Sequence, residues 1–337
     1  MQLTLVVPGL LDFAEAEPLL VDAEGAPLAR LLAGATRSDV PGGALVVLCT
    51  ALGIARQRDW PIAPLLAVAS NLDPDEAYWL LAEPVTLLVG QIDVRLAAVV
   101  GDLAADESAA LLAALNAHFE TDGLRFIAVA PARWLIAAAN PQQLTTHPAD
   151  DVLGAPISPF LPAGPDAARW RRWQSEMQML LFAHPVAAAR EQRGRAPING
   201  VWLSGGGIRT AQAAPRLASL YADAPLPRDL ARARTVAVSP APRSHHDWIA
   251  TEPRLPSLVW LPAVGASDRA SHLAALGRDW ADPLRAALGE DASLELSLVL
   301  SGRGRAWSYD LRRPSLAARW RNRFVRPTLS KLITAGG

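Results

Sequence analysis

Near the start of the chain, Leu3-Thr4-Leu5-Val6-Val7 runs apolar at almost every position. A strand with one wet face alternates apolar and polar side chains, so a run without alternation belongs to a strand covered on both faces. Later runs share this character, LPSLVWLPAV and LELSLVLSG, the second followed by RAWSYDL as a hairpin partner. Segments with helical spacing lie between them: EGAPLARLLAGA, GGALVVLCTALGI, ADESAALLAALNAHFE with Asp106 as N-cap, and SDRASHLAALGRDWADPLRAAL. Strands alternating with helices predict an α/β protein with a mixed, largely parallel sheet flanked by helices. PVTLLVG and VRLAAVV read as strands, and GLRFIAVAPARWLIAAA as a hairpin turning at Ala130-Pro131-Ala132-Arg133. These predict a smaller inserted α+β region over approximately residues 83–160 of a single domain spanning 1–337.

Composition narrows the function classes. With 32 basic and 33 acidic side chains, no global field draws the chain to nucleic acid or an anionic membrane. The one cysteine, Cys49, excludes an internal disulfide and a cysteine-based zinc site. The N-terminal residues lack the basic region and long apolar run of a signal peptide, and no apolar run approaches the roughly 20 residues that span a bilayer. A cytoplasmic location is therefore expected. Eleven Trp are scattered along the chain, which suits core packing. Four residues of a predicted helix from Pro165 to Ala183, Trp170, Trp173, Met177 and Leu180, form such a stripe.

The segment His184 to Arg209 is the most distinctive. Gly205-Gly206-Gly207 follows a predicted strand, GVWLS, and reads as a turn whose backbone N–H groups can cradle an anion beside Arg209. It is neither a P-loop nor a dinucleotide fingerprint, since no Gly-Lys-Ser/Thr follows and the glycines are not spaced G-x-G-x-x-G. Ser204 lacks the preceding Gly-x of a hydrolase nucleophile elbow. His245-His246-Asp247 reads as part of a solvated polar loop, SPAPRSHHDW. Asp268 and His272 stand four apart at the start of a predicted helix, where one face can hold a cation or Asp268 can serve as a cap.

His184-Pro185, Arg190, Gly194, Pro197, Asn199, Trp202, Gly205 and Gly207 together resemble the HPxNxxRxxxGxxPANxxWxxGxG stretch of archaeal-type cofactor-independent phosphoglycerate mutases, with Ala187 and Ile198 departing from it. RWQSEMQMLLFAHPV, INGVWLSGGG and ALGIARQRDWPIAPLLA are similar to the bacterial RpfE-type regulatory proteins. The resemblance implies an alkaline-phosphatase-like α/β fold, in which Asp and His hold two divalent metals and a Ser carries the phosphoryl group. Matched residue by residue, the first ligand Asp falls on Pro8. The nucleophile, nine residues before Gly53, falls on Ala44, with Ser38-Asp39 as a slipped alternative. The Asp-x-x-x-His pair matches Asp268 and His272 as a remnant metal pair, and the final Asp-His pair falls on Ser301-Gly302.

The resemblance thus implies a non-catalytic, mutase-derived regulatory or binding protein with no resident cofactor. Its partner would be an unidentified protein or a small phosphorylated metabolite, with no nucleic acid and no membrane. Arg190, Asn199, Gly205, Gly206, Gly207 and Arg209 are the candidate anion contacts. Two alternatives stand beside it: a metal-dependent phosphoglycerate mutase or phosphatase with a divergent site, holding divalent metal, and a metal-free binder of a small anionic metabolite.

Overall fold

A computed structural model describes residues 2–12, 18–74, 77–263, 269–313 and 328–333. In chain order it begins with β1 (Gln2–Val7), α1 (Pro18–Glu24), α2 (Ala26–Leu32), β2 (Thr36–Pro41) and α3 (Gly43–Ala51). A second group follows: α4 (Ile62–Ala69), β3 (Tyr78–Val89), β4 (Val94–Val99), α5 (Ala105–Phe119), β5 (Leu124–Ala130), β6 (Arg133–Ala138), α6 (Ala149–Val152), α7 (Ala167–Ala183), α8 (Pro185–Gln192) and β7 (Gly200–Gly207). The chain then returns with β8 (Ser219–Ala222), α9 (Pro225–Ala233), β9 (Ala237–Ser239), α10 (His245–Ala250), β10 (Ser257–Trp260), α11 (Arg269–Leu276), α12 (Asp282–Glu290), β11 (Glu295–Gly302), β12 (Arg305–Leu311) and α13 (Leu329–Ile333). Two compact units result, one of residues 1–53 with 214–337 and one of residues 54–213. The α+β segment expected at 83–160 lies inside the second unit. That unit is wider because α4 precedes its first strand, and α7, α8 and β7 close it.

In the first unit the strand order is β2-β12-β11-β1-β10-β8-β9. β1 pairs in parallel with both β10 and β11, β8 continues the parallel run to β9, and β12 and β2 are antiparallel. This is the mixed, largely parallel sheet expected. β1 has neighbours on both edges and helices on both faces, so Leu3, Leu5, Val6 and Val7 are all buried. Each such side chain contributes roughly 1.5–3 kcal/mol of transfer free energy. Leu3, Leu5 and Val7 face a core shared with α1, α2, α10, α11, α12 and α13. From residue 269 on, the predicted helix 267–288 forms as α11 and α12 joined by a π turn over Gly277–Ala281, while positions 267 and 268 lie outside the described residues. Pro283 in the first turn of α12 supplies no N–H and crowds the carbonyl four residues before it, and a widened turn relieves both problems. A Cβ at Gly277 would lie 2.8 Å from Pro27 Cγ, which keeps that position glycine.

The second unit is built on an antiparallel sheet around β3. β7 lines one edge, while the other is shared by β6 along Tyr78–Ala82 and β4 along Val85–Val89. Pro84 sits where β3 changes partner, the place in a strand where a missing N–H costs least. One face packs on α5 and α7 through Trp134, Ile136, Leu115, Trp170 and Met177. Leu181 rather than Leu180 completes the stripe on α7, with Leu180 packed at its margin. α5 begins at Ala105, with Ala104 rather than Asp106 as N-cap, because Glu107 reaches back to accept the Ala104 N–H at 3.2 Å. SPAPRSHHDW is not all loop: Ser244 caps α10 by accepting the Asp247 N–H at 3.1 Å, so His245 and His246 are helical.

Helix α9 ends in a bonding pattern that ordinarily takes glycine. Thr235 N–H donates to Arg232 and Val236 N–H to Ala231, with Thr235 at φ 56°. A β-branched residue is strained there. Thr235→Gly is expected to stabilise the protein by about 1 kcal/mol in urea denaturation; a loss of stability would contradict the strain.

Candidate functional site

Two places collect the sequence candidates, one in each unit. In the second unit, Gly205, Gly206 and Gly207 lie within β7 rather than in a turn beyond it, and the ladder with β3 is irregular between Trp79 and Leu81. Their lack of side chains answers to neighbours. A Cβ on Gly205, at φ 62°, would approach Ile62 Cβ to 2.8 Å; one on Gly207 would approach Pro61 Cβ to 2.6 Å; one on Gly206 would overlap Tyr78 Oη. Nor is the Gly206 N–H open to an outside anion. Gly206 N–H donates to the carboxylate of Asp59, and the side chain of Gln57 accepts from Ile208 N–H at 3.1 Å and donates to its carbonyl at 2.8 Å.

Asp59 is buried and also accepts the Thr146 N–H, at 3.0 and 2.9 Å to its two oxygens, and the Thr146 hydroxyl. Burial raises its carboxyl above the usual range while these donors pull it down. Tyr78, behind Gly206, is raised by burial and then by the Asp59 charge. The glycine segment therefore does meet an anion, and the chain itself supplies it.

Arg190 is fully buried and spent on other carboxylates: Nη1 donates to Glu107 at 2.9 Å, Nη2 to Asp102 at 2.6 Å and Nε to the Ala196 carbonyl at 2.9 Å. Arg193 adds a second contact to Glu107 at 3.0 Å. Hydrogen bonding from Arg190 holds the Asp102 carboxyl below its usual range. Asn199 accepts Leu87 N–H at 2.7 Å and donates to Leu87 carbonyl at 2.9 Å, continuing the ladder one step past β7. Arg209 is exposed and faces Asp73 at 3.7 Å. The six candidates thus do not converge on one concavity. Arg190 and Asn199 clamp α8 and β3, the glycines pack against α4 and Tyr78, and Arg209 stays at the surface. Ser204 is buried in mid-strand.

In the first unit, the carboxyl ends of β1, β10 and β11 point the same way, and the residues after them share one edge of the sheet, where ligands of open α/β sheets bind. Pro8-Gly9 follows β1, and Ser301-Gly302 ends β11. The start of α3 joins them: Gly42 N–H donates to Gly304 carbonyl at 3.2 Å, and the Cβ direction of Gly43 points to within 3.8 Å of Gly302 carbonyl. Ala44 is buried in the first turn of α3. Pro8, Ala44 and Ser301 are therefore brought to one edge. His272 is part-buried on α11, which follows β10, and Asp268 lies outside the described residues. Ser38 and Asp39 are exposed on β2, an edge strand, paired with Ser308 and Trp307. The carboxylate that sequence reading missed here is Asp12, which accepts Arg303 N–H at 3.0 Å and would crowd any side chain at Gly302. Among the described residues no three His, Cys, Asp or Glu side chains are grouped to hold a metal.

The architecture defines a mixed α/β protein with a largely parallel sheet, and the comparisons point to one group of enzymes. No family model matches. A 2,3-bisphosphoglycerate-independent phosphoglycerate mutase of Methanosarcina mazei is 30% identical over 109 residues, 32% of this chain and 28% of that protein. The mutase 2 of Methanothermobacter thermautotrophicus is 31% identical over 112 residues, again 32% and 28%. The matched stretch thus spans little more than a quarter of these relatives, and over it the chain is their distant homologue. Among solved structures, the cofactor-independent phosphoglycerate mutase of Thermoplasma acidophilum aligns with a TM-score of 0.49 at 15% identity, over 98% of this chain and 94% of that one. The PH0037 protein of Pyrococcus horikoshii aligns at 0.47 and 12%, over 92% and 87%.

Two substitutions test the architectural reading of the glycine segment. Arg190→Ala strands a buried Glu107 with only Arg193 and is expected to cost about 3 kcal/mol in chemical denaturation; unchanged stability would show that the ion pairs carry no weight. Asp59→Asn presents an NH2 to N–H groups that need acceptors, and a loss of about 2 kcal/mol is expected. If the Asp59→Asn protein were equally stable, the carboxylate would not be needed there.

Proposed function

We propose that this protein is a mutase-derived regulatory or binding protein, of the RpfE type, that does not carry out two-metal phosphoryl transfer. The observation that carries the reading is the carboxyl edge of the first sheet. By the resemblance, a ligand Asp, the nucleophile Ser and an Asp-His pair belong at Pro8, Ala44 and Ser301-Gly302. Proline, alanine and glycine have no side-chain donor atom, and a single hydroxyl at Ser301 cannot replace two metal ligands. Phosphoryl transfer of this kind draws its rate from metal ions and charges placed around the transferring group. Removing ligands and nucleophile together removes the terms that would lower the barrier.

The remaining edge still has the outline of a binding site, with a helix start and open strand ends. A small phosphorylated metabolite or a protein partner is its proposed occupant, in a bacterial cytoplasm. No helix among the described residues is long and apolar enough to cross a membrane, which agrees with that setting. The competing reading, an active metal enzyme using Ser38 and Asp39, is weakened by their position on an exposed edge strand rather than at a helix start.

Purified protein is expected to bind less than one divalent metal per chain by elemental analysis and to interconvert phosphoglycerates no faster than buffer. Two bound metals with enzyme-like turnover would overturn the proposal. Should turnover appear, Ser38→Ala decides whether Ser38 is the nucleophile: loss of the activity supports that role, and retention excludes it.

A further inference from the structure

The seven-stranded sheet of the first unit ends on one side in β2, which among the described residues pairs with β12 and with no other strand. Thr36, Ser38, Asp39 and Pro41 are exposed, while Arg37 and Val40 are part-buried. A terminal strand carries a row of backbone donors and acceptors along its outer side, and such a row can template another strand. The phase of the ladder tells which residues supply it. Antiparallel neighbours exchange backbone bonds at alternate pairs. Register sets Pro41 opposite Arg305, and one step further Gly42 N–H donates to the Gly304 carbonyl at 3.2 Å. Pairs two steps apart bond alike, so Val40, Ser38 and Thr36 turn their backbone groups toward β12. Arg37, Asp39 and Pro41 turn theirs outward.

The side chains of Arg37 and Asp39 share the face of their cross-strand partners Tyr309 and Trp307. There Arg37 lies over the Trp307 ring at 4.4 Å and donates to the Leu332 carbonyl at 3.3 Å. Ser38, with Thr36 and Val40, takes the opposite face. Edge strands are commonly kept apart by charges, lysine above all, and by proline. A charge of one sign repels its own copy. β2 instead carries one charge of each sign, placed symmetrically about Ser38.

Backbone phase and charge together select one arrangement. Two copies of β2 related by a two-fold axis run antiparallel, and outward groups have to meet outward groups, so the axis passes at Arg37, Ser38 or Asp39. An axis at Arg37 or at Asp39 sets that residue against its own like charge, a destabilising pair. The axis at Asp39 also brings Pro41, which has no N–H, opposite Arg37. With the axis at Ser38, Arg37 of each copy stands opposite Asp39 of the other, and both pairs exchange their backbone bonds. The two Ser38 residues then meet at a pair without such bonds, and Pro41 falls beyond the overlap of residues 36–40.

We propose that β2 is a homodimer interface, at which two copies of this chain join about a two-fold axis through Ser38 and continue the sheet from one copy into the other. A five-residue ladder is small beside a standard interface of about 1,600 Å², so the dimer is weak, with a Kd on the order of 10 μM.

Sedimentation velocity of the full chain, run from about tenfold below to about tenfold above that Kd, is expected to show monomer passing into dimer. Asp39→Pro removes an outward N–H and a charge, leaves the bonds to β12 in place, and is expected to weaken association more than about tenfold. Asp39→Arg, which sets Arg opposite Arg, is expected to weaken it about tenfold. Ser38→Cys is expected to form a disulfide-linked dimer under mild oxidation, because opposite residues of a pair without backbone bonds have Cα atoms about 4.5 Å apart, within disulfide range. Thr36→Cys, whose counterpart is Val40 and not itself, is expected to stay unlinked, and the native Cys49 is buried. A chain that remains monomeric throughout, an Asp39→Pro protein that associates as tightly as the unmodified one, or Thr36→Cys linking as fast as Ser38→Cys would each overturn the proposal. Should Asp39→Pro fail to fold by circular dichroism, Asp39→Arg takes its place, with undiminished association again counting against the interface.

Discussion

Gln57, Asn116 and Asn199 each use one side-chain amide to hold both backbone groups of a single distant residue: Ile208, Phe126 and Leu87. A carboxamide has the donor and acceptor of a peptide group, so each continues a ladder where no strand is present. Backbone polar groups withdrawn from water must be paired, and an open sheet edge leaves a row of them. The second unit rests on meeting that requirement with side chains. Asp59 does the same with charge, taking in N–H groups from Gly206 and Thr146 that no strand reaches.

This gives a physical meaning to the residue pattern from His184 to Gly207. His184 caps α8 by accepting the Val186 N–H at 3.3 Å, Arg190 binds α8 to α5 through Glu107, Asn199 closes β3, and the glycines admit Ile62, Tyr78 and Pro61. Residue types that suit phosphate chemistry also suit dense internal packing of charge and backbone. The first unit reverses the case. Its sheet is regular and its carboxyl edge is the place where such folds do chemistry, but Pro8, Ala44 and Gly302 bring no reactive atom to it.

Legibility in the sequence followed the range of the interactions. The buried strands β1, β10 and β11 and the helix on which Trp170, Trp173 and Met177 align were readable, because period and apolarity are local. β2, with TRSDVP and one paired edge, carried no such signal, and neither did the three-residue β9. Gly205 to Gly207 were read as a turn because glycine is the commonest turn residue; the requirement for space came from Pro61 and Ile62, far earlier in the chain. Asp59 was missed for the same reason, since its partner Thr146 is 87 positions away.

What the sequence determined by itself was the class of architecture and the absence of side-chain donors at Pro8, Ala44 and Gly302, since a residue's chemistry is independent of where the chain takes it. Only the tertiary structure decided what the polar residues do. Arg190 and Asn199 have the same donors in any fold; they became structural because Glu107, Asp102 and the Leu87 backbone, far away in sequence, arrived within hydrogen-bonding distance and took up that capacity.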